Sequence, residues 1–320
     1  MPARQATLTK TNPYISDYFF NEVKLHVLRN SNKLRAEGTA TILAIHGPAG
    51  TGKTFQLAES LRQLNITVKS LSSSDLESDR ANEPAKLVRQ VYTELQNKMR
   101  LEQHMAAALV INDLDAGLGD WGELVQSTEN RQLVFGELMH ICDEASRPKT
   151  GGNYAPCIFI TANDLKKLYA PLLRPGRTRT FFWDSSPEDV AQILQRRLRS
   201  ISVKRLEQIA RDHEDKSVAF FVDAAQRAED QALLSIMAND DYRSVIKHAR
   251  IHGIDTQSSI TEQQLRQAIE VLLEEEDLMQ DYSEADAKAH VLSQHTDNSI
   301  AGQSWTEPAT PQRKSSWLFW

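Results

Sequence analysis

The eight residues Gly47-Pro-Ala-Gly-Thr-Gly-Lys-Thr54 decide how this chain folds. They fit G-x-x-x-x-G-K-[ST], a loop that binds phosphate groups, and they lie between an apolar run, Thr41–His46, and a helical pattern, Lys53–Leu64. Glycines allow backbone amides to face an anion, and the positive end of the following helix points toward it. Lys53 is predicted to reach the β- and γ-phosphates of a nucleoside triphosphate, and the Thr54 hydroxyl is predicted to bind Mg²⁺. The predicted nucleotide-binding residues are Gly47, Pro48, Ala49, Gly50, Thr51, Gly52, Lys53, Thr54 and Phe55.

Outside this loop, apolar runs alternate with helical patterns. The runs Ala108–Asn112 and Cys157–Thr161 are almost entirely apolar, which is typical of central parallel strands covered on both faces. Alternation of strands and helices favours a parallel sheet with right-handed crossovers. We therefore predict an α/β fold over residues 36–185, with a five-stranded parallel sheet and helices on both faces. The other predicted strands are Ile66–Leu71 and Thr180–Trp183, and the other predicted helices are Glu83–Met99 and Glu129–Glu144.

The chain has a different pattern after residue 185. Ser186-Pro187-Glu188 has the form of a helix start with Ser186 as N-cap, and no strand pattern follows before about residue 295. This predicts an all-α lid domain over residues 186–295. Residues 1–35 are interpreted as an N-terminal linker, and the Ser-, Pro-, Gln- and Thr-rich residues 296–320 as a disordered tail. The predicted lid helices are 187–199, 203–212, 217–235, 240–250, 261–279 and 283–294.

Composition limits the kinds of protein that this chain can be. The sequence has 320 residues, of which 40% are hydrophobic, and a net charge of −6. Because non-specific nucleic-acid binding needs a basic surface, no nucleic-acid partner is expected. No apolar run approaches the roughly 20 residues of a membrane span, and the N-terminus is not a secretory signal, so no membrane partner is expected. Cys142 and Cys157 cannot form a disulfide framework, which favours a reducing compartment, the cytoplasm.

A carboxylate follows the third apolar run. Asn112-Asp113 ends this run, and the carboxyl end of a parallel strand is where ligands bind in folds of this class. Asp113 is therefore predicted to polarise a water molecule or to hold Mg²⁺ beside the phosphates. The alternative is an ordinary acidic residue in a turn between a strand and a loop.

The sequence around this carboxylate resembles a known family. The string Ile111-Asn-Asp-Leu-Asp-Ala-Gly117 is similar to that of the Rubisco activases, a branch of the AAA+ ATPases. Most AAA+ ATPases have Asp-Glu where this chain has Asn112-Asp113. The likeness covers roughly residues 14–230, is weak over 229–258, and includes no small-subunit-like module. Other similar segments are Leu76-Glu-Ser78, Asn82–Leu87, Asn163-Asp164, Leu168–Leu172, Arg174-Pro-Gly-Arg177 and Phe182-Trp183.

The resemblance implies ATP hydrolysis in a ring. ATP and Mg²⁺ are the cofactors that it implies, with Asp113 as the catalytic carboxylate and Asn163 as the residue that orients the attacking water. Arg174 and Arg177 are expected to reach the γ-phosphate of a neighbouring subunit, which implies a homo-oligomeric ring, expected to be a hexamer. Arg227 resembles a sensor arginine of the lid. The alternatives are an Asx turn for Asn163, surface arginines for Arg174 and Arg177, and a solvated helix arginine for Arg227.

The resemblance also implies a client. In the family a pore segment contacts the client, and the matching residues here are Asp75–Glu83, a mainly acidic stretch without an aromatic residue. Such a segment indicates a weak grip on an extended peptide and would repel nucleic acid. The implied client is Rubisco, freed from inhibitory sugar phosphates by pulling through the ring pore, in the stroma if the protein is of plastid origin. The alternatives are an activase-like ATPase with another protein client and a nucleic-acid loader.

Overall fold

The computed structural model describes residues 13–31, 35–78, 80, 82–101, 106–117, 125–147, 155–237, 242–252 and 260–279. Among them is a parallel sheet of five strands in the order β2-β3-β4-β1-β5. The strands are β1 Ile42–His46, β2 Thr67–Leu71, β3 Ala107–Ile111, β4 Cys157–Ala162 and β5 Thr178–Phe182. The five-stranded parallel sheet is therefore confirmed, with strand ends that differ from the predicted ones by at most two residues.

Helices connect and follow the strands. The helix before the second strand begins at Lys53 as predicted, while the helix predicted from Glu129 begins earlier, at Val125. The predicted helix 283–294 and the tail 296–320 lie outside the described residues. The helices are α1 Asp17–Asn30, α2 Lys53–Gln63, α3 Glu83–Leu101, α4 Leu114–Gly117, α5 Val125–Ala145, α6 Pro187–Gln195, α7 Val203–Asp212, α8 Val218–Met237, α9 Tyr242–His252 and α10, residues 262–279.

Successive residues of the central strands pack against different helix layers. Ile111 and Ile160 belong to a cluster with α3 and α5, whereas Val110 and Phe159 belong to a cluster with α1 and α2. Each of these four side chains is buried. The sheet is thus covered on both faces, as the nearly continuous apolar runs predicted. The helix residues in the two clusters include Val88, Tyr92, Leu95, Phe135 and Leu138 on one face, and Phe19, Val23, Leu57 and Leu61 on the other.

The N-terminal segment, interpreted from the sequence as a linker, contains helix α1. Phe19 and Val23 of this helix are fully buried. His26 is also buried, and its Nε2 lies 3.2 Å from the Thr41 carbonyl oxygen and 3.3 Å from that of Ile158. Phe19, Val23 and Val27 recur every four residues on the buried face, which is a helical pattern, and His26 and Asn30 are polar residues on the same face.

Helices α6 to α9 follow the last strand. The predicted start of α6 has a capping box, in which Ser186 Oγ accepts from the Asp189 N–H at 3.1 Å and the Asp189 carboxylate accepts from the Ser186 N–H at 3.0 Å. By internal contacts the chain divides into a unit of Met1–Ala268, which holds the sheet and these helices, and a unit of Ile269–Trp320. A separate lid domain over residues 186–295 stays a prediction. None of the described helices has the length and apolar character needed to cross a membrane.

Candidate nucleotide-binding site

The phosphate loop follows β1 and needs glycine at two positions. Gly47 has a φ of +149°, and a Cβ atom there would lie 1.9 Å from the Trp183 carbonyl oxygen. Gly50 has a φ of +76°, and a Cβ atom there would lie 2.7 Å from Ser217 Oγ. A larger residue at either position would push the loop away from these neighbours. The glycines of the motif therefore allow the loop to approach two segments that come much later in the chain.

Three hydrogen bonds hold the loop against those segments. The Trp183 indole N–H and the Ser185 hydroxyl both donate to the Thr51 carbonyl oxygen, each at 3.0 Å. On the other side, the Ala219 N–H at the start of α8 donates to the Gly50 carbonyl oxygen at 3.0 Å. The loop is thus fixed through its carbonyl oxygens, by residues after β5 and by the first turn of α8.

Helix α2 begins directly after the loop. Its N-cap is Gly52, which has a left-handed conformation and no side chain that could cap the first-turn N–H groups. These N–H groups are suited to an anion, and the positive end of the helix dipole favours one. Thr54 and Phe55 are exposed on the first turn, as are Pro48 and Ala49 in the loop. The exposed members of the predicted nucleotide-binding set therefore surround a helix N-terminus, whereas Gly47, Thr51 and Lys53 are buried.

The Lys53 ammonium group joins the loop to the end of β4. It donates to the carbonyl oxygens of Gly47 and Pro48, at 2.9 and 2.7 Å, and to Asn163 Oδ1 at 2.9 Å. Burial lowers the pKa of Lys53, and nearby carboxylates, first among them that of Asp113, oppose this effect. Phosphate oxygens carry more negative charge than the three neutral acceptors and would bind the ammonium group more strongly.

Asp113 lies directly after β3 and Asn112, in a left-handed conformation with a φ of +50°. Its N–H donates to Thr161 Oγ1 of β4 at 2.9 Å. Asn112 Oδ1 is buried and has no hydrogen-bond partner among the described residues. Asn112 also lines, together with Thr54, an open cleft of about 330 Å³. The end of β3 thus brings the Asp113 carboxylate near Lys53 and places Asn112 in the same cleft as the predicted magnesium ligand Thr54.

The turn that carries Asn163 is held by Asp115, a residue that sequence reasoning did not assign. Asp115 Oδ2 accepts from the N–H groups of Asn163 and Asp164, each at 3.0 Å, and the side chain is buried. The carboxylate of Asp164 caps the following turn by accepting from the Lys166 N–H at 2.8 Å. The Asx turn considered for Asn163 is therefore made by Asp164, and the Asn163 amide contacts Lys53 instead.

Arg174 and Arg177 have different surroundings. Arg177 donates through Nε and Nη2 to the two carboxylate oxygens of Asp143, each at 2.9 Å, and through Nη1 to the Pro171 carbonyl oxygen at 3.1 Å. The hydrogen bonds to Asp143 raise the pKa of Arg177. Arg174 is exposed, and its side chain has no hydrogen bond or ion pair within the described part of the chain. Arg177 is therefore held against α5 of its own chain, whereas Arg174 extends into solvent.

Arg227 lies on α8, away from the loop contact at the start of that helix. Its Nε donates to Asp223 Oδ2 at 3.3 Å, an ion pair one turn apart, and 34% of its side chain is exposed. Ala219, which contacts Gly50, comes eight residues earlier, which corresponds to about 12 Å along the helix axis. The sensor role of Arg227 stays a prediction.

The predicted magnesium site fits a weakly ligated ion. In the described ranges, no group of three or more His, Cys, Asp or Glu side chains forms a metal site. Mg²⁺ in nucleotide sites is bound mainly by phosphates and water, with one or two protein ligands. Thr54 on the exposed first turn of α2 and Asp113 at the end of β3 are oxygen donors of the kind that such an ion takes.

Trp183 and Asp115 belong to this site although no role was predicted for either residue. The hydrogen bond of Trp183 to the loop joins residues 132 positions apart, and that of Asp115 to Asn163 joins residues 48 positions apart. Hydrophobic periodicity describes neighbours within one element and contains no such information. The single local signal was that both residues lie in strings similar to the activases.

Known proteins with similar sequences include nucleotide-binding proteins of one family. Residues 43–184 match the ATPase family associated with various cellular activities (AAA). The chain is 32% identical to a ribulose bisphosphate carboxylase/oxygenase activase of Anabaena sp. over 240 residues, which are 72% of this chain and 58% of the relative. It is 35% identical to the ribulose bisphosphate carboxylase/oxygenase activase of Nostoc sp. over 217 residues, which are 65% of this chain and 52% of the relative. It is 38% identical to the chloroplastic ribulose bisphosphate carboxylase/oxygenase activase of Chlamydomonas reinhardtii over 183 residues, which are 55% of this chain and 44% of the relative.

The chain spans about half the length of these curated relatives. The matched AAA region begins in β1 and ends just beyond β5, so it contains the sheet, the phosphate loop, Asp113 and Asn163. The AAA+ α/β fold and the resemblance to the Rubisco activases, both predicted from the sequence, are confirmed.

Proposed function

We propose that this Rubisco activase-like AAA+ protein binds ATP with Mg²⁺ and couples ATP hydrolysis to the remodelling of a client protein. The observation that carries the proposal is the 2.9 Å contact between Lys53 Nζ and Asn163 Oδ1. This contact brings the phosphate-binding lysine and the predicted water-orienting amide to one point at the carboxyl edge of the sheet. Asp113, which acts electrostatically on Lys53, adds a carboxylate at the same edge.

Each of these side chains has a role in hydrolysis. Lys53 exchanges its bonds to the Gly47 and Pro48 carbonyl oxygens for phosphate oxygens when ATP binds. Asn163 orients a water molecule, and the Asp113 carboxylate accepts the proton that this water loses as it attacks the γ-phosphate. Mg²⁺, when bound, neutralises charge on the phosphates, and Thr54 and Asp113 would hold it.

Arg174 is the arginine that we assign to the neighbouring subunit's nucleotide. An arginine that acts on a neighbouring subunit's nucleotide must extend beyond the surface of its own subunit. Arg174 is exposed, whereas Arg177 is held by Asp143. Arg177 therefore fixes the turn on which Arg174 is carried. Catalysis then needs an assembly in which subunits meet head to tail, for which we propose a hexameric ring.

The client that we propose is Rubisco, the enzyme after which these relatives are named, released from inhibitory sugar phosphates. The acidic segment Asp75–Glu83 would contact the client in the ring pore. The relatives include cyanobacterial and chloroplastic proteins, which supports a cytoplasmic or stromal location. Because this segment lacks an aromatic side chain, we expect it to grip the client weakly, which is enough to pull on one extended terminus of the client.

Mixing experiments test the assembly. Arg174→Ala subunits keep an intact nucleotide site, and Asp113→Asn subunits keep an intact arginine. Each variant alone should be inactive, whereas a mixture should regain ATP hydrolysis at the interfaces where an intact site meets Arg174. Arg199→Ala, a change of another exposed arginine, is the matched control and should keep wild-type activity. Full activity of Arg174→Ala alone, or turnover that does not fall on dilution, would contradict the ring.

Rescue of Rubisco tests the client. The protein with ATP and Mg²⁺ should restore carboxylation to sugar-phosphate-inhibited Rubisco from the same source, and Lys53→Ala should not. The measurement is the carboxylation rate against time. If ATP hydrolysis is intact but the cognate Rubisco stays inhibited, the motor acts on another protein.

A further inference from the structure

A buried amide joins the acidic segment Asp75–Glu83 to helix α5. Asn130 lies on α5 and is 5% exposed. Its Nδ2 donates to the carbonyl oxygens of Ser78 and Arg80, at 2.8 and 3.3 Å, and its Oδ1 accepts from the Asn82 N–H at 2.9 Å. These bonds use both N–H groups of the amide and its oxygen, and they involve only backbone atoms of the segment. Asn130 therefore holds Ser78, Arg80 and Asn82 through their backbone atoms, independently of their side chains.

The other described bonds of this stretch are local and solvent-exposed. Ser78 Oγ donates to the Glu83 carboxylate at 2.7 Å, and Arg80 pairs with Glu83 at 3.2 Å with 82% of its side chain exposed. Exposed ion pairs contribute little to stability, whereas the loss of a partner for buried polar groups is costly. Between Ser78 and Asn82, the bonds to Asn130 are thus the strongest connection to the body of the protein that the described residues show.

The helix that carries Asn130 also holds the turn of the proposed arginine finger. Asp143, thirteen residues further along α5, accepts both bonds from Arg177. Between these two positions, Glu137 of α5 pairs with Arg89 of α3. Thirteen residues of helix correspond to about 20 Å. One helix therefore contacts the acidic segment near its start and the arginine turn near its end.

We propose that Asn130 is a positioning residue for client remodelling, which holds the acidic segment in one shape and makes it move together with α5. The proposal rests on the proposed function, since it takes the acidic segment as the part that contacts the client. A segment that could bend freely would transmit less of the helix movement to the client. Asn130 has no described hydrogen bond to the phosphate loop or to Asp113, so hydrolysis without a client should not depend on it.

The variant Asn130→Asp tests this role. It keeps the size of the side chain and one acceptor oxygen, but it replaces the two donors by an oxygen that repels the Ser78 and Arg80 carbonyl groups. Gln132→Glu makes the same chemical change at an exposed position of α5 and is the matched control. Trypsin cleavage after Arg80, followed by mass spectrometry on the full chain, measures how often the segment opens. We expect cleavage about tenfold faster in Asn130→Asp and unchanged in the control.

A second measurement separates positioning from general damage. Asn130→Asp should lower the rate of Rubisco rescue several-fold while ATP hydrolysis without Rubisco stays near that of wild type. If Asn130→Asp does not fold, Asn130→Ser should show the same faster cleavage after Arg80.

Two results would overturn the proposal. One is an unchanged cleavage rate after Arg80 in folded Asn130→Asp, and the other is an equal loss of Rubisco rescue and of basal ATP hydrolysis. The proteolysis needs neither ATP nor a client. A wild-type protein that fails to rescue Rubisco therefore counts against the proposed client, while cleavage after Arg80 still decides the contact made by Asn130.

Discussion

His26 makes the stability of this chain depend on pH. Its ring is buried and packs edge-on against Phe159, with 5.0 Å between the ring centroids. Both groups near Nε2 are carbonyl oxygens, those of Thr41 and Ile158, so Nε2 carries a hydrogen. Burial lowers the pKa of His26 from 6.5 to about 4, and the two carbonyl groups oppose this only in part. The folded chain therefore keeps His26 neutral at pH values at which the unfolded chain binds a proton.

The sign and size of the effect follow from the two pKa values. Between pH 6.5 and about 4 the unfolded state binds more protons, so the free energy of unfolding falls as the pH falls through this window. From about pH 7.5 to about pH 5, His26 alone should lower the free energy of unfolding by about 2 kcal/mol. This is a large part of the roughly 5–15 kcal/mol that stabilises a typical domain.

Urea unfolding at a series of pH values checks this expectation. His26→Gln supplies an amide that can donate to a carbonyl oxygen but does not titrate. We expect this variant to be less stable near neutral pH, yet to lose about 2 kcal/mol less than wild type between about pH 7.5 and about pH 5. His140→Gln, which changes an exposed histidine of α5, retains His26 and should follow wild type. The same pH dependence in wild type and His26→Gln would refute the argument.

Changes in the phosphate loop and after β3 separate nucleotide binding from turnover. Lys53→Ala should weaken ATP binding by about a hundredfold in calorimetric titrations, because it removes the ammonium group that exchanges the Gly47 and Pro48 carbonyl oxygens for phosphate oxygens. Asp113→Asn should bind ATP but hydrolyse it at least about a hundredfold more slowly, since an amide does not accept the proton of water; unimpaired hydrolysis would mean that the catalytic carboxylate lies elsewhere. Gly47→Ala should lower both the melting temperature and ATP affinity, because its Cβ would lie 1.9 Å from the Trp183 carbonyl oxygen. Gly136→Ala on α5 is its control, as a Cβ there meets no atom within 4 Å and should leave both measurements at or above wild type.

The sheet was predictable because its strands carry a strong local signal. The runs that became β3 and β4 are fully buried along their length, so nearly every residue in them is apolar. The phosphate loop was predictable for a different reason, since its spacing of glycines, lysine and threonine is specific to one geometry. Both signals are complete within a few consecutive residues.

Other features depend on contacts between distant residues. The burial of His26 on the inner face of α1 was not predictable, because its ring contacts the carbonyl groups of Thr41, just before β1, and of Ile158 in β4 rather than water. The sequence suggested equal roles for Arg174 and Arg177, because nothing near them indicates that Asp143, 34 residues earlier, binds Arg177. The contact of Asn130 with the acidic segment likewise joins residues about 50 positions apart. Such pairings are set by how elements pack, and the sequence of either partner alone does not contain them.

Trp183 gives the phosphate loop a built-in optical signal. Its indole N–H is bonded to the Thr51 carbonyl oxygen, so a shift of the loop changes the surroundings of a fluorescent ring. The chain has four other tryptophans, which can be replaced by phenylalanine, namely Trp121, Trp305, Trp317 and Trp320. The emission of the remaining indole would then follow the arrival and departure of nucleotide in real time, without an attached dye. Stopped-flow traces from such a protein would show whether the loop moves when ATP binds, when it is hydrolysed, or when the products leave.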